Sequence, residues 1–215
     1  MKHLAIICDG NRRWARANEL PAEAGYVQGL TTVERCCEWA ISNNLSYLTV
    51  YLFSTENWKR STNEIDALKG LGRLYFCHRL DWYISMGIRV RFSGRRDRFE
   101  PDIVDILNNV ETATQSCSNL NLIICIDYGG RDEIARAIAA GAKTEEEITE
   151  YLNRHAPEPD AILRTGGDMR LSNFLLWQAA YSELMFVDNL FPDLDDETLS
   201  RVLLDYRARK RNFGH

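Results

Sequence analysis

Short apolar runs alternate with longer amphipathic stretches along the whole chain. Six runs are rich in Val, Ile, Leu, Phe and Tyr, and several are apolar at successive positions, which is typical of strands buried between two helical layers. The predicted strands are residues 4–8, 47–53, 88–92, 120–126, 160–163 and 184–187. The predicted helices are residues 28–42, 62–86, 98–116, 132–140, 144–155, 174–181 and 195–211. This alternation predicts an α/β fold with a parallel sheet, as one domain over residues 1–215.

Composition narrows the class of protein further. The 215 residues are 45% hydrophobic and 27% charged, which indicates a globular chain rather than a disordered one. With 26 basic and 31 acidic residues the net charge is −5, so we expect no nucleic-acid partner. No apolar run approaches the ~18 residues of a membrane span, and no pair of the six cysteines has C-x-x-C spacing. The expectation is a soluble cytoplasmic protein with free thiols.

Polar residues follow four of the predicted strands, in segments 8–14, 54–60, 127–131 and 164–173. Because the carboxyl ends of parallel strands share one edge of a sheet, these segments should meet there and form a binding site. In the first of them, Asp9 is suited to a divalent cation, the backbone of Gly10 and Asn11 to phosphate oxygens, and Arg12 and Arg13 to charge-assisted bonds. The alternative is a simple turn into a helix, capped by Asp9.

A second anion site is predicted by Arg164, Arg170 and Ser172, which surround a Gly-Gly pair, while Arg60 adds a further cation. The alternative is surface arginines on a glycine-rich turn. Two anion sites and one carboxylate suggest two phosphorylated substrates bridged by Mg²⁺, which binds to few protein carboxylates and to phosphate oxygens. The four histidines lie elsewhere.

Aromatic residues lie in or beside the same segments, and each is either part of the core or the wall of a site for a hydrocarbon tail. They are Trp14, Phe53, Trp58, Phe174, Trp177 and Tyr181.

Four motifs together resemble the cis-prenyltransferase family of undecaprenyl and dehydrodolichyl diphosphate synthases. They are C-D-G-N-R-R-W-A from Cys8, F-S-T-E-N-W from Phe53, D-Y-G-G-R from Asp127, and R-T-G-G from Arg164 followed by L-S-N-F-L-L-W-Q from Leu171. The resemblance runs in order over nearly the whole chain. It implies a homodimer, a six-stranded, mostly parallel sheet with an apolar tunnel, and dependence on Mg²⁺.

The resemblance also implies a role for individual residues. It makes Asp9 the residue for metal and diphosphate, with Glu183 beside the metal. The residues expected to bind the substrates are Gly10, Asn11, Arg12, Arg13, Trp14, Tyr26, Trp58, Arg60, Arg164, Arg170, Ser172 and Gly214. Of these, Asn11, Arg13 and Arg60 match the site of the allylic diphosphate that ionises. Arg164, Arg170 and Ser172 match the site of the nucleophile, and Asn57 and Trp58 match residues that position the reacting ends.

Departures from the family pattern concentrate in the allylic site. Arg12 stands where the family has Gly, Tyr26 where it has a diphosphate-binding His, and Ala22 where it has Arg. At the C-terminus only Gly214 remains of an R-x-G motif that reaches into the partner subunit in the family. The stretch between residues 130 and 160 is also shorter than in long-chain synthases.

These departures suggest the short-chain branch of the family, in which dimethylallyl diphosphate units are joined head-to-middle into lavandulyl-type products, some of them cyclised. Geranyl or isopentenyl diphosphate is a further candidate substrate, and the product should not exceed about three isoprene units. The proton acceptor would be a diphosphate oxygen, Asn57 or Ser54. The main alternative is a regular short-chain synthase that uses isopentenyl diphosphate. An accessory subunit and a phosphatase with Asp9 as nucleophile fit the residues less well.

Overall fold

The computed structural model describes residues 1–209 and shows three layers, with helices on both faces of one sheet. The strands are β1 (His3–Ile7), β2 (Tyr47–Ser54), β3 (Ile88–Ser93), β4 (Leu120–Tyr128), β5 (Ala161–Arg164) and β6 (Glu183–Phe186). The helices are α1 (Asn11–Ala17), α2 (Ala22–Ser42), α3 (Thr62–His78), α4 (Leu80–Ser85), α5 (Pro101–Ala113), α6 (Gly130–Ala139), α7 (Glu145–Leu152) and α8 (Asp196–Ala208). Short 3₁₀ turns at Thr55–Lys59 and Phe191–Asp193 complete the fold.

All six strands are parallel, in the order β3-β4-β2-β1-β5-β6, which confirms the α/β fold and the six-stranded sheet and shows a wholly parallel sheet. The central strand β1 is buried at every position, and a hydrophobic cluster lies on each face of the sheet. Burial on both faces explains why the strands are apolar at successive positions instead of alternating.

The edge strand β3 is capped by Glu111 of α5 and by Thr114, the residue that follows this helix. Glu111 Oε1 accepts the Phe92 backbone N–H (2.8 Å), and Thr114 Oγ1 accepts that of Val90 (3.1 Å). These bonds satisfy backbone donors that an open edge would expose. The other edge strand, β6, is short. None of the helices within residues 1–209 is long and apolar enough to cross a membrane.

Two predicted helices differ from the structure. The segment 62–86 is not one helix, because the chain bends at Arg79 (φ −101°, ψ 1°) between α3 and α4, so that both Phe76 and Tyr83 are buried. The segment 174–181 forms turns instead of a helix. Ser172, Asn173 and Leu175 have φ of +49°, +65° and +43°, which no right-handed helix allows.

Candidate active site

The loops that follow β1 and β5 meet at the carboxyl edge of the sheet, where Ile7 pairs with Arg164. Thr165 joins them, because its hydroxyl accepts the Asp9 backbone N–H (3.1 Å) and donates to the Asp9 carbonyl (2.7 Å). This double contact holds the backbone of Asp9 beside the segment that carries Arg164. The two loops that sequence motifs identified separately therefore form one site.

The Asp9 carboxylate lies between two guanidinium groups. Arg164 Nη2 donates to Asp9 Oδ2 (2.7 Å), and Arg13 Nη2 lies 3.2 Å from Asp9 Oδ1. Arg164 is only 4% exposed, whereas the Asp9 side chain is 29% exposed. The carboxylate is thus fixed by a buried cation and remains open to solvent on one side, where a ligand can reach it.

Arg164 also organises the loop that follows β5. Its Nη1 donates to the Arg170 carbonyl (2.5 Å) and to the Ser172 hydroxyl (2.7 Å). The Arg170 side chain is 60% exposed and donates to Asp168 (2.7 Å), and this bond lowers the pKa of Asp168. We call Asp9, Arg13, Arg164, Asp168 and Arg170 the Arg164 cluster. Arg170 can turn from Asp168 to an anionic ligand with little change in packing.

A glycine is required where Arg13 crosses this loop. Arg13 Nη1 donates to the Gly166 carbonyl (2.8 Å), and a Cβ on Gly166 would overlap with Arg13 Nη2. Gly166 also has φ of +85°, a conformation that L side chains rarely adopt. The predicted glycine-rich turn therefore binds the Arg13 guanidinium group and is not only a flexible connection.

A second polar group consists of Arg12, Tyr26, Arg60 and Glu64, which we call the Tyr26 cluster, and Tyr26 itself lines an apolar cavity. The Tyr26 hydroxyl donates to Glu64 Oε1 (2.7 Å), and Arg60 Nη1 donates both to that hydroxyl (2.8 Å) and to Glu64 Oε1 (3.0 Å). Arg12 Nη1 lies 3.8 Å from the same oxygen. Burial, and then the bond to Glu64, raise the pKa of Tyr26 to about 12, so this hydroxyl remains a donor at neutral pH.

The cavity lies between the sheet and the helices α2, α3 and α5 and holds about 900 Å³ of empty space, including its open mouth. The polar residues of its lining are Asn11, Tyr26, Lys69 and Arg73, and the apolar wall includes Leu30, Phe53, Leu68, Phe76, Phe99 and Ile103. Such a cavity suits a hydrocarbon chain whose charged head stays with the two polar clusters.

Asn11 links the first loop to the cavity. Its Nδ2 donates to the Cys8 carbonyl (3.0 Å), while its buried Oδ1 has no hydrogen-bond partner among the described residues. Gly29 on α2 permits this position, because a Cβ there would overlap with Asn11 Oδ1. A buried acceptor without a donor is costly, so a water is expected beside Oδ1, and only the Nδ2 group could donate to an anionic ligand.

Ser54, Asn57 and Trp58 form one turn beside the cavity. Asn57 Oδ1 accepts the Ser54 backbone N–H (3.0 Å), so its carboxamide holds the turn. Trp58 packs on Phe53 and Phe99, with ring centroids 5.4 and 5.6 Å apart, and its buried indole N–H has no partner among the described residues. Phe53 and Phe99 line the cavity, so Trp58 supports its wall from behind.

Two predicted residues within the described part of the chain are not with the others. Trp14 does not line the cavity, since its indole N–H donates to Asp193 (2.6 Å). Within one chain Glu183 does not lie beside Asp9, and its place beside the metal stays a prediction. Glu183 pairs with Ala161 at the opposite, amino edge of the sheet and accepts a bond from Arg209 (2.5 Å). Gly214 lies outside the described residues.

Asp9 and Asp168 are the carboxylates of the Arg164 cluster, and Asp168 is paired with Arg170. Residues 1–209 contain no group of three or more His, Cys, Asp and Glu side chains that could hold a metal by themselves. The partly exposed carboxylate of Asp9 still fits the ion, because Mg²⁺ is commonly held by one or two carboxylates together with phosphate oxygens and water.

Sequence reasoning missed several residues of the site, above all Glu64 and Thr165. Glu64 follows Arg60 by four residues at the start of α3, a spacing that favours an ion pair, and this signal could have drawn attention to it. Asn173 was also missed. It donates to Glu56 (3.0 Å) and accepts the Arg131 backbone N–H (2.9 Å), so it ties the two remaining loops, after β2 and β4, to the loop after β5.

A parallel α/β fold with two clusters of arginines and an apolar cavity suits an enzyme that acts on phosphorylated compounds with a hydrocarbon chain. The profile of the prenyltransferase family described as "Putative undecaprenyl diphosphate synthase" matches residues 7–214, and the chain belongs to this family. It is therefore a prenyl diphosphate synthase, a transferase, and the resemblance noted in the sequence is confirmed.

Curated relatives match the chain over its whole length. An isoprenyl transferase of Aquifex pyrophilus is 44% identical, covering 99% of this chain and 95% of that protein. A ditrans,polycis-undecaprenyl-diphosphate synthase of Xanthomonas axonopodis pv. citri, specific for (2E,6E)-farnesyl diphosphate, is 42% identical and covers 99% and 88%.

Two solved structures share the fold. Lavandulyl diphosphate synthase from Lavandula x intermedia, in complex with dimethylallyl diphosphate, matches with a TM-score of 0.93 and 28% identity over 100% of this chain and 98% of that chain. A probable undecaprenyl diphosphate synthase from Campylobacter jejuni matches with a TM-score of 0.85 and 35% identity over 100% and 99%.

Proposed function

We propose that this synthase joins C5 allylic diphosphates, or a C5 and a C10 unit, by Mg²⁺-dependent head-to-middle coupling into a lavandulyl-type diphosphate. The observation that carries the proposal is the Tyr26 cluster, in which Tyr26 replaces the family's His and gathers Arg60 and Arg12 around Glu64. The match to a lavandulyl synthase bound to dimethylallyl diphosphate supports it.

Each polar cluster holds one diphosphate in this proposal. The Tyr26 cluster, together with Asn11 and with Arg13 from the Arg164 cluster, binds the allylic diphosphate that ionises, and its prenyl group enters the apolar cavity. Arg164, Arg170 and Ser172 bind the diphosphate of the second unit, with charge-assisted bonds from the guanidinium groups. Mg²⁺ at Asp9 would supply further positive charge beside the departing diphosphate.

The coupling balances without any other reactant. The C–O bond of the first unit breaks and inorganic diphosphate leaves, the alkene of the second unit attacks the resulting allylic cation, and the coupled cation loses a proton. Asn57 is a poor acceptor for this proton, because its Oδ1 is already bound to the Ser54 backbone N–H. An oxygen of the released diphosphate is anionic and adjacent, so it is the better base.

The proposed homodimer is supported by a surface near the β6 edge. Tyr181, Leu184 and Leu204 are exposed there, at 72%, 39% and 63%. Unpaired strand edges and exposed apolar side chains are features of association surfaces. Sedimentation of the wild type and of Leu204→Glu tests this: the wild type should sediment as a dimer, and Leu204→Glu should shift it toward monomer.

The reaction is tested by incubation with dimethylallyl diphosphate alone, with isopentenyl diphosphate alone, and with both, followed by phosphatase treatment and mass spectrometry of the alcohols. A branched C10 alcohol, or its cyclised isomer, from dimethylallyl diphosphate alone is the expected result. The double variant Ala22→Arg/Tyr26→His restores two residues of the family pattern and should lower this product relative to linear products made with isopentenyl diphosphate.

The second candidate is a regular short-chain cis-prenyl diphosphate synthase, which the 42% identity to an undecaprenyl-diphosphate synthase favours. It requires isopentenyl diphosphate as the nucleophile. No product from dimethylallyl diphosphate alone, with linear cis chains when isopentenyl diphosphate is added, would decide for this candidate.

A further inference from the structure

Glu64 places a carboxylate among the cations of the Tyr26 cluster, whose Tyr26 lines the cavity. Its Oε1 accepts bonds from Tyr26 and Arg60 and lies 3.8 Å from Arg12. The donors of this anion site therefore already surround one anionic oxygen that belongs to the protein itself.

The three donors come from different elements, which makes their convergence on one atom specific. Arg12 belongs to α1, Tyr26 to α2, and Arg60 to the segment before α3. Glu64 lies in the first turn of α3, where its backbone N–H bonds to the Ser61 hydroxyl (3.4 Å). The carboxylate is thus fixed to the helix that forms one wall of the cavity.

Water screens this cluster only in part. The Glu64 side chain is 18% exposed and that of Arg60 is 26% exposed, whereas Arg12 is 56% exposed. At such partly buried positions a negative charge repels a second anion more strongly than it would in bulk water. A diphosphate that takes the same donors must therefore compete with the carboxylate.

We propose that Glu64 is an internal competitor of the diphosphate at this site. In the empty site its carboxylate occupies the place of a diphosphate oxygen and holds the Tyr26 hydroxyl and the Arg60 guanidinium group in position. When a diphosphate binds, these donors turn to it and Glu64 is left as a nearby like charge, which weakens retention of the released inorganic diphosphate. Glu64 is a positioning residue in this scheme, and the inference rests on the proposed binding of the allylic diphosphate at the Tyr26 cluster.

A structural role for Glu64 predicts the opposite effect of a substitution. If the Arg60–Glu64 pair, at i and i+4, only stabilised the start of α3, loss of the charge would leave the donors less ordered and diphosphate binding unchanged or weaker. Competition predicts a gain of affinity, which loss of structure does not produce.

The test is calorimetric titration of inorganic diphosphate, with Mg²⁺, into the wild type, Glu64→Gln, Arg60→Gln and the double variant Arg60→Gln/Glu64→Gln. Glu38→Gln, at an exposed position of α2, makes the same change of charge away from the site and is the matched control. We expect Glu64→Gln to bind inorganic diphosphate about three to thirty times more tightly than the wild type, and Glu38→Gln to bind it as the wild type does. The double variant Arg60→Gln/Glu64→Gln should not show this gain of affinity. In steady-state kinetics, KM for the allylic substrate and kcat should both fall in Glu64→Gln, because the product diphosphate leaves more slowly.

Unchanged or weaker diphosphate binding in Glu64→Gln, with Arg60→Gln weaker than the wild type, overturns the competitor role and leaves the allylic site in place. If Arg60→Gln binds diphosphate as tightly as the wild type does, both the competitor role and the proposed allylic site are overturned, since the Tyr26 cluster would then not hold this ligand. If Glu64→Gln does not fold, as judged by circular dichroism, Glu64→Ala is titrated instead with the same expected gain.

Discussion

The ion pair between Asp9 and Arg164 should link catalysis to the stability of the fold. The Arg164 side chain is only 4% exposed. Its nearest carboxylate is that of Asp9, at 2.7 Å, and Asp168 lies further away, at 3.6 Å. Removing one partner of a fully buried pair costs about 3–5 kcal/mol, whereas exposed pairs contribute about 0–1 kcal/mol. Because Asp9 is partly exposed and Arg164 keeps its bonds to Ser172 and the Arg170 carbonyl, we expect Asp9→Asn to cost about 1–2 kcal/mol.

A double-mutant cycle measures this interaction. The free energy of unfolding in urea, without Mg²⁺ or substrate, is determined for the wild type, Asp9→Asn, Arg164→Met and the double variant. The expected coupling energy is about 1–2 kcal/mol, and Tm of Asp9→Asn should fall by roughly 2–8 °C for a chain of this size. Turnover should fall by orders of magnitude in both single variants.

A coupling energy below about 0.5 kcal/mol would refute the reasoning, because that is the range of independent sites. A fully active Asp9→Asn enzyme would refute the catalytic part alone. A loop carboxylate is expected from the sequence to add little stability, and the buried partner changes that expectation.

Three further predictions follow from individual contacts. Gly166→Ala should lower the free energy of unfolding by about 1–3 kcal/mol and reduce activity, because the new Cβ meets Arg13. Gly141 also has positive φ (+106°), but no atom lies within 4 Å of its Cβ position, so Gly141→Ala should lower stability through backbone strain alone and leave activity intact. Equal activity of the two variants would contradict this. Arg170→Ala should raise KM for the nucleophilic substrate about ten- to hundredfold. Its Tm should not change, since the Arg170 side chain is exposed. Steady-state kinetics that show no change of KM for either substrate would remove Arg170 from the site. Burial lowers the pKa of His3 to about 4, so the unfolded chain binds the proton more tightly than the folded chain. The free energy of unfolding should therefore fall by roughly 2–4 kcal/mol as pH drops from about 6.5 to 4, and His155, whose pKa is also lowered to about 4, adds to this pH dependence. In urea titrations at several pH values, His3→Gln should remove only the pH dependence that is due to His3.

The loops of the site were predictable because each follows an apolar strand whose pattern is easily identified. Parallel strands bring their carboxyl ends to one edge, so Asp9 and Arg164, 155 residues apart, were expected together and lie 2.7 Å apart. The same rule places Glu183 at the wrong edge for Asp9, since it begins β6 instead of following it. The family resemblance suggested that Glu183 lies near the metal at Asp9, and the strand register within one chain does not bring these two residues together.

The sequence alone determined the α/β class, the six strands, the family and the residues that carry charge at the carboxyl edge, because these depend on local periodicity and on motifs of adjacent residues. Only the tertiary structure decided which charges meet. The convergence of Tyr26, Arg60 and Arg12 on Glu64 depends on the packing of α1 and α2 against the start of α3. The turns at 174–181 depend on Asn173, whose side chain bonds to Glu56 and to the Arg131 backbone across the sheet edge. Contacts between residues distant in the chain set both features, and no local pattern records such contacts.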